Sequence, residues 1–364
     1  MLSQSNQSML DNNPIPDIFS VQQNIRRSMP KDRIEIWMRS RLGKVYRDLI
    51  LDWLVILVAF ISVAAIQSWW SYIIAFFTIG SRQYALFILG HDAIHNSLHP
   101  IRVVNDRLAK WLIYGPMFMG LEDGRRNHLD HHRYLGTELD PDRYLHALSN
   151  KNSNARLLLF CLGLATFGKT VLKVTPFGKM LTQAKDRTID KNSLLIGTPS
   201  QQTKTIKILS NYLRQRLSVL LMQPLLIGFF ILLDLPWWSY LALWVAPIYF
   251  CVFLPDEIRA LCDHAIPILP ESNADSLRLI TFQPNWFELA IFSPHNMNYH
   301  AEHHLFPTVP YYNLPQVHDF TRNRAEVTVR KSYIAFLIKL FSSLPLSPSI
   351  ESVKEQEYQS GIVG

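Results

Sequence analysis

The chain has 364 residues, of which 48% are hydrophobic, and a formal net charge of +7. The apolar residues gather in blocks close to the roughly 20 residues that cross a bilayer, with the cations flanking them; this pattern fits a membrane protein and speaks against a nucleic-acid platform. Three cysteines, Cys161, Cys251 and Cys262, have no CxxC spacing, which excludes a thiolate zinc site or an iron–sulfur cluster, and nothing implies disulfides.

Residues 1–20 are rich in Ser, Asn, Gln and Pro and are expected to be loosely attached. They contain no apolar h-region, so the first span is expected to direct insertion in place of a cleavable signal. Eight cations then follow (Arg26, Arg27, Lys31, Arg33, Arg39, Arg41, Lys44 and Arg47) against Asp32 and Glu35, which places the N-terminus in the cytosol by the positive-inside rule. The first apolar block, residues 52–66, runs outward, and the second, 69–90, returns after an uncharged aromatic tip, Trp69-Trp70-Ser71-Tyr72.

At the end of that second block, His91-Asp92-Ala93-Ile94-His95 sets two imidazoles one helical turn apart. A run at 111–120 is too short to cross and reads as re-entrant or interfacial. His128-Leu129-Asp130-His131-His132 follows, with three imidazoles spaced to share a helix face. Residues 157–167 again read as interfacial, and the basic stretch 151–216 as cytosolic. Blocks 217–233 and 237–254 form a second hairpin, with Pro224 and Pro247 as expected kinks and Trp237-Trp238-Ser239-Tyr240 repeating the tip of the first. Two returning hairpins bring the third cluster, His300-Ala301-Glu302-His303-His304, to the same side as the other two. Residues 331–346 are expected to lie on the membrane surface, and the last dozen form a tail. The predicted fold is therefore all-α and polytopic: four transmembrane helices in two hairpins with a cytosolic helical cap, divided into 1–48, 49–320 and 321–364.

Eight imidazoles in three boxes exceed what one zinc ion takes, so two metal ions are expected. An all-nitrogen shell leaves iron, copper and zinc open, and a dinuclear site with open positions suggests oxygen chemistry. Asp92, Asp130 and Glu302 lie inside the boxes, where each can orient an imidazole or remain a solvated charge. Asn298 can hold a metal-bound water or cap a helix. Arg82 sits nine residues before His91, about 13 Å inside the span, and so is either functional or paired with Asp52. His99 and His146 are off the box spacing and read as structural or surface residues, and His318 as exposed.

His91-x-x-x-His95, His128-x-x-His131-His132 and His300-x-x-His303-His304, set around two apolar hairpins, resemble the histidine boxes of the membrane fatty acid desaturase and hydroxylase superfamily. Arg82-Gln83-Tyr84-Ala85-Leu86, Gly136-Thr137-x-x-Asp140-Pro141-Asp142 and Asn298-x-His300 with Leu305-Phe306-Pro307 extend the likeness over roughly residues 49–320. The resemblance implies two non-haem iron ions, O₂ as co-substrate, a lipid or acyl substrate and a ninth histidine ligand, for which His264 is the first candidate and His295 the second. It also implies a separate electron donor of the ferredoxin or cytochrome b5 type with its reductase, and desaturation ahead of hydroxylation or ketolation. A membrane metal-binding scaffold is the non-enzymatic alternative. The expected location is a multi-pass protein of a bacterial cytoplasmic membrane with its site on the cytosolic face.

Overall fold

The computed structural model describes residues 18–137, 139–142, 154–164, 201–265 and 277–343, with the side chains of 154–156 and 201–215 left undescribed. The expected tail at the C-terminus, His146 and most of the basic stretch 151–216 lie outside these residues, as do residues 1–17 of the expected loose N-terminus.

Two short helices, α1 (Ile18–Ser28) and α2 (Lys31–Trp37), precede a long hairpin, α3 (Leu42–Ile66) and α4 (Trp69–Ile94). At 25 and 26 residues the two long helices extend about 37–39 Å, enough for a hydrocarbon layer of about 30 Å. The chain reverses in two residues because Gln67 takes a left-handed conformation (φ 50°) and the Ser71 hydroxyl accepts from the Ser68 amide at 3.3 Å, closing the start of α4. Ile50, Leu51, Leu54, Val58 and Ile61 face outward from α3, an apolar strip that only a lipid environment or a partner would cover.

Next come α5 (Arg102–Ala109) and, after a wide π turn at Lys110–Tyr114, α6 (Leu121–Tyr134). The run 111–120 is not among the helices long and apolar enough to cross a membrane, and its carbonyls at Leu112, Gly115 and Pro116 accept from side chains of the surrounding helices. Trp53 donates to the Leu112 carbonyl at 3.0 Å, Gln223 to those of Gly115 and Pro116 at 2.9 and 3.0 Å, and Trp244 to that of Pro116 at 2.9 Å. Irregular buried backbone requires such partners.

Helices α7 (Asn154–Cys161), α8 (Gln201–Leu232) and α9 (Trp238–His264) follow. Pro224 lies within α8, and Pro247 stands between two π-wound stretches of α9, Leu241–Val245 and Ile248–Phe253. Gln83 of α4 donates to the Trp244 carbonyl at 3.1 Å inside this rod. Gly80 permits the close approach of α4 and α9, since a Cβ there would stand 2.4 Å from the Cβ of Cys251. Three stretches, Lys31–Ile66, Trp69–Ile94 and Trp238–His264, are long and apolar enough to cross a membrane. The third block of the expected four is the shorter apolar helix Arg216–Leu232, counted over its described part.

The remaining elements are β1 (Ile280–Phe282), α10 (Trp286–Phe292), α11 (His300–Leu305), α12 (Leu314–Thr321), β2 (Thr328–Arg330) and α13 (Tyr333–Ser343). The all-α expectation is corrected here by one small parallel ladder, in which Thr281 is opposite Val329. It carries no period-2 pattern to read, being three residues long with β1 buried throughout. Its function is positional: the Asn298 carbonyl accepts from the Phe282 amide at 3.0 Å, which ties the chain entering α11 to the strand.

Candidate metal centre

Boxes one and three sit at helix ends whose unpaired carbonyls find specific partners. His91 lies in the last turn of α4 and His95 is its C-cap. Arg125 of α6 donates Nε to the Ile94 carbonyl at 3.2 Å and Nη2 to that of Ala93 at 3.1 Å, while Asp106 holds its guanidinium at 2.6 Å. Asn105 adds a second bond to the Ala93 carbonyl at 2.9 Å. Box one is thereby locked to α6, which carries His128, His131 and His132 on its last two turns. At the third box, Arg26 reaches from α1 to the carbonyls of Leu305 and, at 2.9 Å, of His304, capping the short α11.

These helix ends bring nine imidazoles together. Ring nitrogens of His91, His95, His128 and His303 lie within 4.8 Å of one another, and so do those of His131, His264, His300 and His304. His132 stands between the quartets: its Nε2 is 2.9 Å from Nε2 of both His128 and His303, and its ring stacks on His304 with centroids 4.2 Å apart. His264, the last residue of α9, has Nε2 2.8 Å from that of His300 and 3.2 Å from that of His131.

The donor set fits bound cations. A metal bonded to nitrogen at about 2.1 Å brings its ligand nitrogens to roughly 3–4 Å from each other, and Nε2 to Nε2 distances here begin at 2.8 Å within a 4.8 Å envelope. Among the described residues, neither ring nitrogen of His91 is hydrogen-bonded, and Nε2 of His95 is likewise buried without a partner. Such orphans are costly unless something else satisfies them. Burial first, and neighbouring imidazoles second, push His128, His132, His303 and His304 well below the ordinary histidine range; His300 is lowered in the same way, with Arg259 contributing. Their lone pairs therefore stay available at neutral pH.

The carboxylates that meet the imidazoles are mostly not those inside the boxes. His131 donates Nδ1–H to Asp140 at 2.9 Å, and Asp142 is 3.9 Å away. Asp263 lies 3.7 Å from Nδ1 of His300, with Arg259 between them, 2.7 Å from the carboxylate and 3.3 Å from the ring. Asp92 instead accepts from the Tyr311 amide at 2.9 Å, anchoring the chain that leaves box three, and Asp130 is half-exposed with no imidazole contact among the described residues.

Glu302 orients the third box from behind. Fully buried, it accepts from Thr281, from Thr321 at 2.5 Å and from Nδ1 of His318 at 2.8 Å. The expected exposure of His318 is thus corrected: it is 3% exposed and also contacts Gln283 at 2.8 Å. Asn298 donates to the Phe282 carbonyl at 2.8 Å and serves the strand. His295 stands apart from both quartets and contacts Asp52 through Nε2 at 3.0 Å; the same carboxylate pairs with Arg82 at 3.1 Å. His99 is buried, with Nδ1 accepting from the Ile101 amide at 3.0 Å.

Asp140 and Asp142 could have been singled out, as a pair of carboxylates a short loop beyond box two. Arg259, Asp263 and Arg26 left no local signal, because only the tertiary fold delivers them.

Residues 67–334 match the family model described as fatty acid desaturase. A curated relative from Nostoc sp., an sn-1 acyl-lipid omega-3 desaturase (ferredoxin), is 21% identical over 300 residues, covering 80% of this chain and 77% of the relative. A protein of the same name from Synechocystis sp. is 26% identical over 160 residues, 42% of this chain and 43% of that one. With a model matched over most of its length and its histidines gathered into two quartets, the chain belongs to the fatty acid desaturase family.

Proposed function

We propose that this chain is an integral membrane oxidoreductase that introduces a double bond into a fatty acyl chain of a membrane lipid. The observation that carries this reading is the pair of imidazole quartets joined by His132, in a chain of the desaturase family. His91, His95, His128 and His303 would hold one iron ion and His131, His264, His300 and His304 the other, with His132 between them. Iron bound there would supply the oxidation of an unactivated C–H bond, drawing on O₂ and two external electrons.

The chain's own residues set the conditions for that chemistry. Burial keeps His128, His132, His300, His303 and His304 neutral and limits water at the site. Asp140 holds the His131 ring in the tautomer that leaves Nε2 free to bind. Glu302 fixes the helix that presents His300, His303 and His304, so their spacing does not depend on the ions alone. The relatives' names specify an acyl lipid and ferredoxin, which favours a lipid-linked substrate and a ferredoxin-type donor over cytochrome b5. The positive-inside pattern supports two hairpins with the boxes on the cytosolic face of the membrane.

The test is a lipid profile of a host expressing this chain with a ferredoxin and its reductase, beside one expressing His304→Ala. The reading predicts an acyl species lighter by two hydrogens with the intact chain alone. A species heavier by one oxygen would replace desaturation with hydroxylation, and an unchanged lipid profile with iron bound would leave a metal-binding scaffold.

A further inference from the structure

Arg82, Asp52 and His295 belong to neither quartet; they sit at a cleft of about 450 Å³ on the box-bearing end of the first hairpin. One wall is the opening of α3, with Lys44, Arg47 and Asp48. The others are residues 293–296, just ahead of box three, and Tyr311 and Tyr312 just behind it. The cleft is built rather than incidental. The Asp52 carboxylate, 2% exposed, holds both Arg82 and His295. Asn296 donates to the Tyr311 carbonyl at 3.3 Å, the Tyr311 hydroxyl donates to Asp48, and the Tyr312 hydroxyl accepts from the Arg41 amide at 2.6 Å.

Three cations against two carboxylates leave the cleft one positive charge in excess when His295 is neutral. Asp48 and Asp52 pair with Arg47 and Arg82 at 2.6 and 3.1 Å. Lys44 forms no ion pair among the described residues, its ammonium lying 5.5 Å from the centre of the Tyr312 ring. Arg82 spends Nη1 on Asp52 and Nε on Ser81, which leaves Nη2 without a hydrogen bond among the described residues, and its side chain is 31% exposed. Arg47 is 60% exposed. Directly beyond these cations along α3 lie Ile50, Leu51 and Leu54, all exposed. A soluble anion would use the cations alone, whereas a lipid would use the cations and the apolar strip together.

We infer that this cleft binds the phosphate of an anionic membrane lipid at Lys44, Arg47 and Arg82, with the lipid tails lying along the outer face of α3. The inference rests on the membrane reading and not on the reaction assigned to the metal centre. Because the cleft walls lead directly into and out of box three, a lipid held there braces that box against the first hairpin.

Native mass spectrometry of the full detergent-solubilised chain tests this with phosphatidylglycerol, diacylglycerol and inorganic phosphate as probes. Phosphatidylglycerol is expected to be retained in preference to diacylglycerol. Each neutralised cation should weaken retention about fivefold, so Lys44→Gln with Arg47→Gln should weaken it roughly 25-fold, with iron content unchanged. If the double variant loses iron, Lys44→Gln alone is read, since that ammonium has no ion pair to break. Equal retention of the two lipids, or retention indifferent to the substitutions, would overturn the inference. Displacement of the lipid by millimolar inorganic phosphate would overturn it too, assigning the cleft to free phosphate.

Discussion

Asp140 accepts a hydrogen bond from Nδ1–H of His131 at 2.9 Å, while Nε2 of the same ring faces Nε2 of His264 at 3.2 Å. On the proposed reading the carboxylate fixes which nitrogen is left to bind a cation in the second quartet. Asp140→Ala should weaken metal retention by that quartet about 10–100-fold, and Asp140→Asn by less, because its amide oxygen still accepts. Iron remaining after a graded chelator challenge measures this; equal retention in all three proteins would remove Asp140 from the account.

The resemblance puts His264 ahead of His295 as the ninth ligand, and their surroundings differ in the same sense: His264 lies in the second quartet, whereas His295 contacts Asp52. His264→Ala should lose about one iron per chain, since it takes a nitrogen from one quartet only. His295→Ala should keep both ions and lower stability by roughly 1 kcal/mol through the lost contact with Asp52. Metal analysis beside a thermal melt distinguishes the two, and iron loss in His295→Ala would reverse the assignment.

Glu302 gathers Thr281, Thr321 and His318 at a point without solvent. Thr321→Val should cost about 1–3 kcal/mol with little change in iron content, whereas Glu302→Ala strands three partners at once and should lower both. A Glu302→Ala protein with normal melting and metal content would show that the third box does not need this support.

The histidine pattern was readable because helical periodicity decides which side chains share a face, and three boxes with spacings of three and four leave little freedom. The first hairpin was readable for the same kind of reason, an apolar length fitted to a bilayer. What escaped depends on contacts between distant segments. His318 read as exposed, yet the fold places it against Glu302, sixteen residues away. The π-wound stretches flanking Pro247 have no compositional mark either, and the ladder between β1 and β2 is too short for periodicity.

Gly80 tests the packing that carries box one. A Cβ there would stand 2.4 Å from that of Cys251, so Gly80→Ala should destabilise by about 1–3 kcal/mol. Adding Cys251→Gly removes the opposing atoms and should recover part of that loss. A melt in which the double variant is no better than the single one would mean that α4 and α9 do not meet at this point.

Iron content of the purified, reconstituted chain tests the central claim most directly. About two irons per chain in the native sequence, falling to about one in His264→Ala, is the result expected from two quartets sharing His132. A native chain that binds no iron, or a single ion unaffected by His264→Ala, would contradict it.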